Sequence, residues 1–214
     1  MWDELESVTR AWRAVRGALG LQPTTPSGVV QSAVTRVKTV LNATRTVRSS
    51  AGQTMPFLRA ELRRISNEVF DLDQMARGSL WHHWAKRTAL ERTEFMRLFT
   101  DLLERLYVAH IRQLRWVIVV PAGEVFDTSY ATVTWKLNTL GSVAVIEYRL
   151  RRREGRWKIY DVMLNGRSFV SSCREEFDER IHASSYAAFV RELPRRDHAG
   201  FVGPGSTLTA AVAQ

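Results

Sequence analysis

The residue types that most often perform catalysis or bind metals are few in this sequence, and their spacing does not bring them together. His82 and His83 are adjacent, so on a helix their side chains point in different directions and cannot form the i, i+4 ligand pair of a zinc-binding helix. Cys173 and His182 lie more than two turns apart on one predicted helix, too far for a thiolate–imidazole pair. We therefore predict no metal site and a structural cysteine.

Acidic groups next to other polar residues give two further candidates. Asp71 and Asp73 stand at a predicted helix start, where carboxylates more often cap the helix than form a catalytic pair. Tyr160 and Asp161 would act in acid–base chemistry only if both entered one pocket, and neighbours on a strand face opposite ways. An acid–base enzyme using Tyr160 or Asp161 remains an alternative hypothesis. The sequence has no phosphate-binding glycine loop, and Val170 replaces the second glycine of a nucleophile elbow.

Composition and charge narrow the class of protein. The 214 residues are 45% hydrophobic and 25% charged, which is typical of a globular protein, and the single cysteine excludes an internal disulfide. No apolar stretch approaches the roughly 18 residues of a membrane span. The net charge of +9 includes a run of arginines between residues 149 and 156 and suggests an anionic partner. A nucleic-acid binder is the weakest hypothesis, because no readout module accompanies this run; we expect no nucleic-acid partner.

The apolar pattern changes from helical spacing to alternation at about residue 116. This predicts an α+β fold in which helices precede and follow an antiparallel meander. The predicted helices span 27–50, 56–70, 71–77, 88–113, 171–182 and 185–193, and the predicted strands span 116–120, 130–139, 143–152 and 156–164. Ser27 and Ser184 are predicted N-caps, Thr88 and Glu91 a capping box, and Glu154-Gly155 a tight hairpin turn.

Three regions are expected along the chain. Residues 1–26 form an amphipathic helix and a linker, 27–196 the main domain, and 197–214 a loose tail. Asp3, Glu4 and Glu6 occupy the place of the basic segment of a signal peptide, and no apolar stretch follows them. We therefore expect no signal peptide in this sequence.

Several motifs from residue 69 to residue 193 resemble those of one family in order and spacing. They are VFDLDQMAR at 69–77, WAKRT at 84–88, EFMRLF at 94–99, LLERLY at 102–107, YRL at 148–150, GRWKIYDV at 155–162, GRSFV at 166–170 and REEF at 174–177. They are similar to the MlaC, or toluene-tolerance, family of periplasmic phospholipid carriers. Trp81 stands where that family usually has glycine.

The resemblance implies a fold and a role. The fold would be a curved antiparallel sheet of about four strands wrapped by helices, cone-shaped and similar to nuclear transport factor, around an apolar cavity. The protein would be a periplasmic, monomeric carrier without cofactor or catalytic activity. It would move phospholipid between an inner-membrane ABC transporter complex and an outer-membrane lipoprotein complex, with transient contact to membrane surfaces. A carrier of hopanoid or another apolar lipid is the close alternative.

A lipid carrier must enclose the acyl chains. Burial of one methylene is worth about 0.8 kcal/mol, so a chain of roughly sixteen carbons costs on the order of 12 kcal/mol to expose to water. Apolar residues from predicted helices and strands could line the cavity that the resemblance implies. They are Met75, Leu80, Trp84, Phe95, Phe99, Leu102, Leu106, Ile111, Val133, Leu137, Ile146, Tyr148, Val162 and Leu164.

Overall fold

The computed structural model describes residues 24–46, 51–111, 118–139 and 142–194. The predicted N-terminal helix and C-terminal tail lie outside the described residues. Within the described residues, five helices precede five strands, and two helices follow them. The first helices are α1 (Pro26–Thr46), α2 (Ala51–Val69), α3 (Leu72–Leu80), α4 (His82–Ala85) and α5 (Ala89–Ile111). The strands are β1 (Ile118–Phe126), β2 (Tyr130–Thr139), β3 (Ser142–Arg153), β4 (Arg156–Leu164) and β5 (Arg167–Ser168), and the last helices are α6 (Phe169–Ala183) and α7 (Tyr186–Glu192).

The strands form one open, curled sheet in chain order, with every neighbouring pair antiparallel. This confirms the predicted α+β class, with a short fifth strand added. The side chains of β2 alternate between buried and more exposed, as the sequence pattern predicts: Ala131, Val133, Trp135 and Leu137 are buried. Between β3 and β4, Glu154 and Gly155 have φ angles of 51° and 77°, which confirms the tight turn.

The helix boundaries follow local hydrogen bonds, and several differ from the prediction. The capping box is confirmed, because the amide of Glu91 donates to Thr88 Oγ1 and the amide of Thr88 donates to Glu91 Oε2. Ser27 was the wrong cap for α1, since Thr25 Oγ1 accepts from the amide of Gly28. Ser184 was the wrong cap for α7: Ser185 caps that helix, while the Ser184 hydroxyl donates to a carbonyl of α6.

The start of α2 also differs from the prediction. Pro56 was expected to begin this helix, but it lies inside a helix that starts at Ala51. Pro56 is the sixth residue of this helix, beyond the first four amides that have no partner within it, so its ring removes one intrahelical hydrogen bond. The sequence prediction was wrong because it took this proline for the first residue of the helix.

Two apolar clusters stabilise the described residues. In the first, called here the sheet core, the buried faces of α1 and α2 pack against the sheet. In the second, called the helical core, α3, α5, α6 and α7 pack against one another. The side chain of Phe70, which follows α2, packs against both clusters. The two cores thus meet where α2 gives way to α3.

Candidate functional site

The strand residues of the predicted cavity lining share one face of the sheet. Val133 pairs with Tyr148, which pairs with Val162, so three neighbouring strands contribute to one row. A second cross-strand pair joins Ile146 to Leu164. All belong to the sheet core together with Leu137, and Tyr148 is the half-buried member.

The helical residues of the predicted lining lie elsewhere, in the helical core. They are Met75, Leu80, Phe95, Phe99, Leu102 and Leu106, with Trp84 half-buried against them. The ring of Phe95 stacks on Phe99 at 5.9 Å between centroids and meets Phe177 edge-on at 6.0 Å. The side chain of Ile111 lies outside the described residues. The structure therefore divides the predicted lining between two clusters and does not bring its two halves together.

Helices α1 and α2 cover the sheet core. The sequence pattern indicates an apolar stripe on each of these helices, but the predicted lining did not include them. The buried residues of these stripes are Val29, Val30, Val37, Val40, Leu41, Leu58, Leu62, Ile65 and Val69. Each stripe repeats at three- and four-residue spacing, which was the available signal. The strand half of the predicted lining therefore packs against these two helices and not against the helical half of that lining.

The described part of α1 carries one buried charged side chain, that of Arg36. The side chain of Arg36 is only 9% exposed, and its Nη1 lies 2.6 Å from Glu68 Oε2. Its Nε and Nη2 are buried and have no hydrogen-bond partner among the described residues. These two nitrogens lie on one edge of the guanidinium, the two-donor edge that binds an oxyanion with parallel hydrogen bonds.

The position of Arg36 in the sequence indicates that it is unusual, although a count of charged residues does not. It falls on the stripe of Val29, Ala33 and Val40, at spacings of four, three and four residues. An arginine on the apolar stripe of a helix is seldom fully buried without partners. The position therefore indicates either a long side chain reaching water or a cation kept for a ligand.

The buried carboxylates make structural contacts. Asp71 caps α3 by accepting from the amide of Gln74, and it also accepts from Arg151 Nε at 2.7 Å and Arg153 Nη1 at 3.1 Å. Burial alone raises the pKa of Asp71, but these hydrogen bonds and positive charges outweigh burial and hold the pKa below its usual value. Two arginines of the basic run are thereby paired.

Asp161, the candidate for acid–base chemistry, also has its oxygens engaged. It accepts from the amides of Val162 and Val170 and from the hydroxyl of Ser168, which fixes the turn into α6. Tyr160 lies on the other side of the strand, with its ring 6.2 Å from that of Tyr130, and burial raises its pKa. The structure therefore keeps this tyrosine and this carboxylate apart.

Cys173 is fully buried in the helical core, and burial raises the pKa of its thiol well above the usual value. A buried thiol of raised pKa is a poor nucleophile, because the thiolate is the reactive form. Its placement agrees with the structural role expected from the sequence.

The histidines depart from the expectation drawn from their spacing. The Nε2 atoms of His82 and His83 lie 3.3 and 2.8 Å from Oδ1 of Asp178, so the adjacent side chains converge on one carboxylate. The expectation failed because α4 is a single short turn that follows Trp81, whose φ of 45° belongs to the region that favours glycine. The hydrogen bond from His83 holds the pKa of Asp178 below its usual value.

Comparisons with known proteins identify relatives of this chain. The family model described as MlaC protein matches residues 31–195. A phospholipid-binding protein from Ralstonia solanacearum, solved in complex with a phospholipid, has a similar fold with a TM-score of 0.61 and 18% sequence identity. The alignment covers 87% of this chain and 97% of that one. No curated protein matches the chain. Among the described residues, no helix has both the length and the apolar character needed to cross a membrane.

Proposed function

The chain belongs to the MlaC family, and from that premise we propose that it binds a phospholipid and acts as a carrier rather than an enzyme. The Ralstonia solanacearum protein of similar fold was solved with a phospholipid bound, which supports the proposal. The acid–base alternative receives no support from Asp71 and Asp161. Their carboxylate oxygens already accept hydrogen bonds from backbone amides, from arginines and from a serine.

The acyl chains would lie between the sheet and helices α1 and α2. This layer contains the strand residues of the predicted lining. Among the described residues of α1, Arg36 is the one buried side chain that carries a charge. We assign the residues of the helical core to packing, because their aromatic rings already contact one another. Separation of α1 and α2 from the sheet would admit the acyl chains, and closure of these helices over the chains would shield the hydrocarbon from water.

The single observation that carries the choice of a phospholipid is the unpartnered edge of Arg36. A buried donor without a partner costs about 1–3 kcal/mol. A phosphate diester offers two oxygens in the geometry that this edge matches. Hopanoids and other lipids without an anionic group would leave the two nitrogens unpaired. Arg36 therefore favours a lipid with a phosphate over the apolar-lipid alternative.

The wider role follows from the family and is proposed on that basis. The carrier would work in the periplasm as a monomer. It would take and deliver phospholipid at an inner-membrane ABC transporter complex and an outer-membrane lipoprotein complex, touching membrane surfaces only transiently. The sequence contains no phosphate-binding glycine loop, so the free energy for directional transport would come from the transporter.

Extraction of lipid from vesicles tests the proposal. We expect delipidated protein, incubated with vesicles and separated from them by flotation, to retain phosphatidylglycerol at a molar ratio near one. Diacylglycerol with the same acyl chains, added to the same vesicles, should be retained at least about tenfold less, because it lacks the phosphate. Absence of phospholipid from the protein fraction, or equal retention of the two lipids, would contradict the proposal.

A further inference from the structure

Three of the five histidines in the chain surround one carboxylate, although they come from two distant segments. His82 and His83 lie on α4, and His182 lies on α6, one turn after Asp178. The Nδ1 of His182 is 3.3 Å from Asp178 Oδ1 and 2.8 Å from the backbone carbonyl of the same residue. The phospholipid proposal does not use this cluster, which lies on α4 and α6, whereas Arg36 lies on α1.

The geometry points to a divalent metal site of the zinc type, and we propose that His82, His83 and Asp178 are its ligands. Their three donor atoms lie within 4.8 Å of one another. In tetrahedral zinc sites the metal–nitrogen and metal–oxygen bonds are about 2.0–2.1 Å, which places ligand atoms about 3.3 Å apart. The distances from Asp178 Oδ1 to the two Nε2 atoms, 2.8 and 3.3 Å, are close to that value.

The types of ligand select the class of metal. Imidazole nitrogen together with one carboxylate suits Zn²⁺ and similar first-row ions, whereas Mg²⁺ and Ca²⁺ prefer ligand sets made of oxygen. His182 would belong to the outer shell, where its contact with Asp178 orients the carboxylate. A fourth position would be left to solvent.

The burial of the ligands suits a metal that enters from solvent. The side chain of His83 is 9% exposed and forms the fixed base of the site, whereas those of His82 and Asp178 are 39% and 38% exposed. Open access to two of the three ligands allows the ion to reach the site without a change in the fold.

Two cations on neighbouring segments, Arg87 and Arg180, are paired with carboxylates. The guanidinium of Arg87 lies over the ring of Tyr186 and is paired with Glu91. Arg180, on the same helix as Asp178, is paired with Glu176. The local repulsion of a bound cation is therefore smaller than the net charge of the chain suggests.

A metal here would connect parts of the chain that are far apart in sequence. His83 and Asp178 are separated by 95 positions, and they join α4 to α6 across the helical core. An ion bound only by the folded state stabilises it in proportion to the logarithm of its concentration over Kd. The site is thus assigned a structural role, independent of lipid binding.

Zinc binding to the purified chain without a histidine tag tests this assignment. After treatment with a chelator, calorimetric titration with Zn²⁺ should show one ion per chain, and the thermal midpoint should rise. Co²⁺ should give the visible absorption of a tetrahedral site with nitrogen and oxygen ligands. Replacement of His82 by glutamine or Asp178 by asparagine should weaken Zn²⁺ binding by about 100-fold or more, since even outer-shell changes cost about 10–100-fold.

The control is Asp73→Asn, which removes a surface carboxylate that pairs with Arg77 on α3. It should leave Zn²⁺ affinity within about twofold of that of the unaltered chain. His82 is partly exposed, so its replacement should not prevent folding, and circular dichroism of each variant verifies this. Absence of zinc binding by the unaltered chain would overturn the proposal, as would equal affinities in His82→Gln, Asp178→Asn and Asp73→Asn.

Discussion

Replacement of Arg36 by methionine is expected to stabilise the lipid-free protein and, at the same time, to lower its phospholipid content about tenfold or more. Arg36 is a buried cation with one carboxylate partner, Glu68, and two unpartnered nitrogens. Methionine removes the two buried donors without a partner, each of which costs about 1–3 kcal/mol, whereas the lost pair with the partly exposed Glu68 contributes less. Glu68 keeps a second partner, Arg64, and is 35% exposed, so it is not left buried and unpaired.

The loss of lipid follows from the same two nitrogens. Each hydrogen bond to a charged group contributes about 1.5–3 kcal/mol, and about 1.4 kcal/mol corresponds to a tenfold change in affinity. Arg36→Lys, which keeps the charge but not the two-donor edge, should lose part of the bound lipid. Opposite changes in stability and lipid content would separate a ligand-binding arginine from a structural one.

Arg97 provides the matched control for this variant. It lies on α5 with its side chain 65% exposed, and it pairs with Asp101. Arg97→Met should change neither property, because exposed ion pairs contribute little. Phospholipid per chain is measured by phosphorus assay after vesicle incubation, and stability by urea unfolding of delipidated protein. Unchanged lipid content in Arg36→Met, or an equal loss in Arg97→Met, would contradict the assignment.

Replacement of Asp71 by asparagine is expected to lower the free energy of unfolding by about 2–3 kcal/mol, because it removes a buried charge that holds two arginines. Asparagine is as good an N-cap as aspartate, so the hydrogen bond from Gln74 to the side chain persists and the ion pairs are tested separately. Arg151 and Arg153 are partly exposed and reach water in the variant, which limits the loss. Asp73→Asn should change stability by less than about 0.5 kcal/mol.

The contribution of Asp71 should also depend on pH. The pKa of Asp71 in the folded state lies below the usual value of an aspartate, about 3.9, which applies to Asp71 in the unfolded chain. The stabilisation is therefore complete above that unfolded-state pKa and is lost as the pH falls through the folded-state pKa. The difference between the unaltered chain and Asp71→Asn in urea unfolding should therefore stay constant from pH 7 to about 5. It should decrease below about pH 4. A difference that is absent at pH 7 would show that the ion pairs do not stabilise the fold.

The parts of the fold that were predictable are those governed by local spacing. The capping box of Thr88 and Glu91, the alternation of β2 and the turn at Glu154 each depend on residues only a few positions apart. The predicted helix boundaries were wrong where either of two residues could cap the helix, as with Ser184 and Ser185. The choice between two neighbouring serines depends on backbone geometry, which the sequence does not encode locally.

The candidate site depended on contacts between distant segments, and here the sequence was less informative. The apolar stripe of α5 was identified, but spacing could not show that Phe177 and Phe189 of α6 and α7 would cover it instead of the sheet. The convergence of His82 and His83 on Asp178 likewise depends on a turn at Trp81 and a helix nearly a hundred residues later. Periodicity shows that a face is apolar; it does not show what packs against it.

Native mass spectrometry of the gently purified chain tests the central claim most directly. If the protein is a phospholipid carrier, the spectrum should contain the chain with one lipid bound, and dissociation of that complex should release an ion with the mass and fragments of a glycerophospholipid. A spectrum of the bare chain alone, from protein that also takes no lipid from vesicles, would contradict the account. Release of a lipid that contains no phosphate would contradict the role given to Arg36.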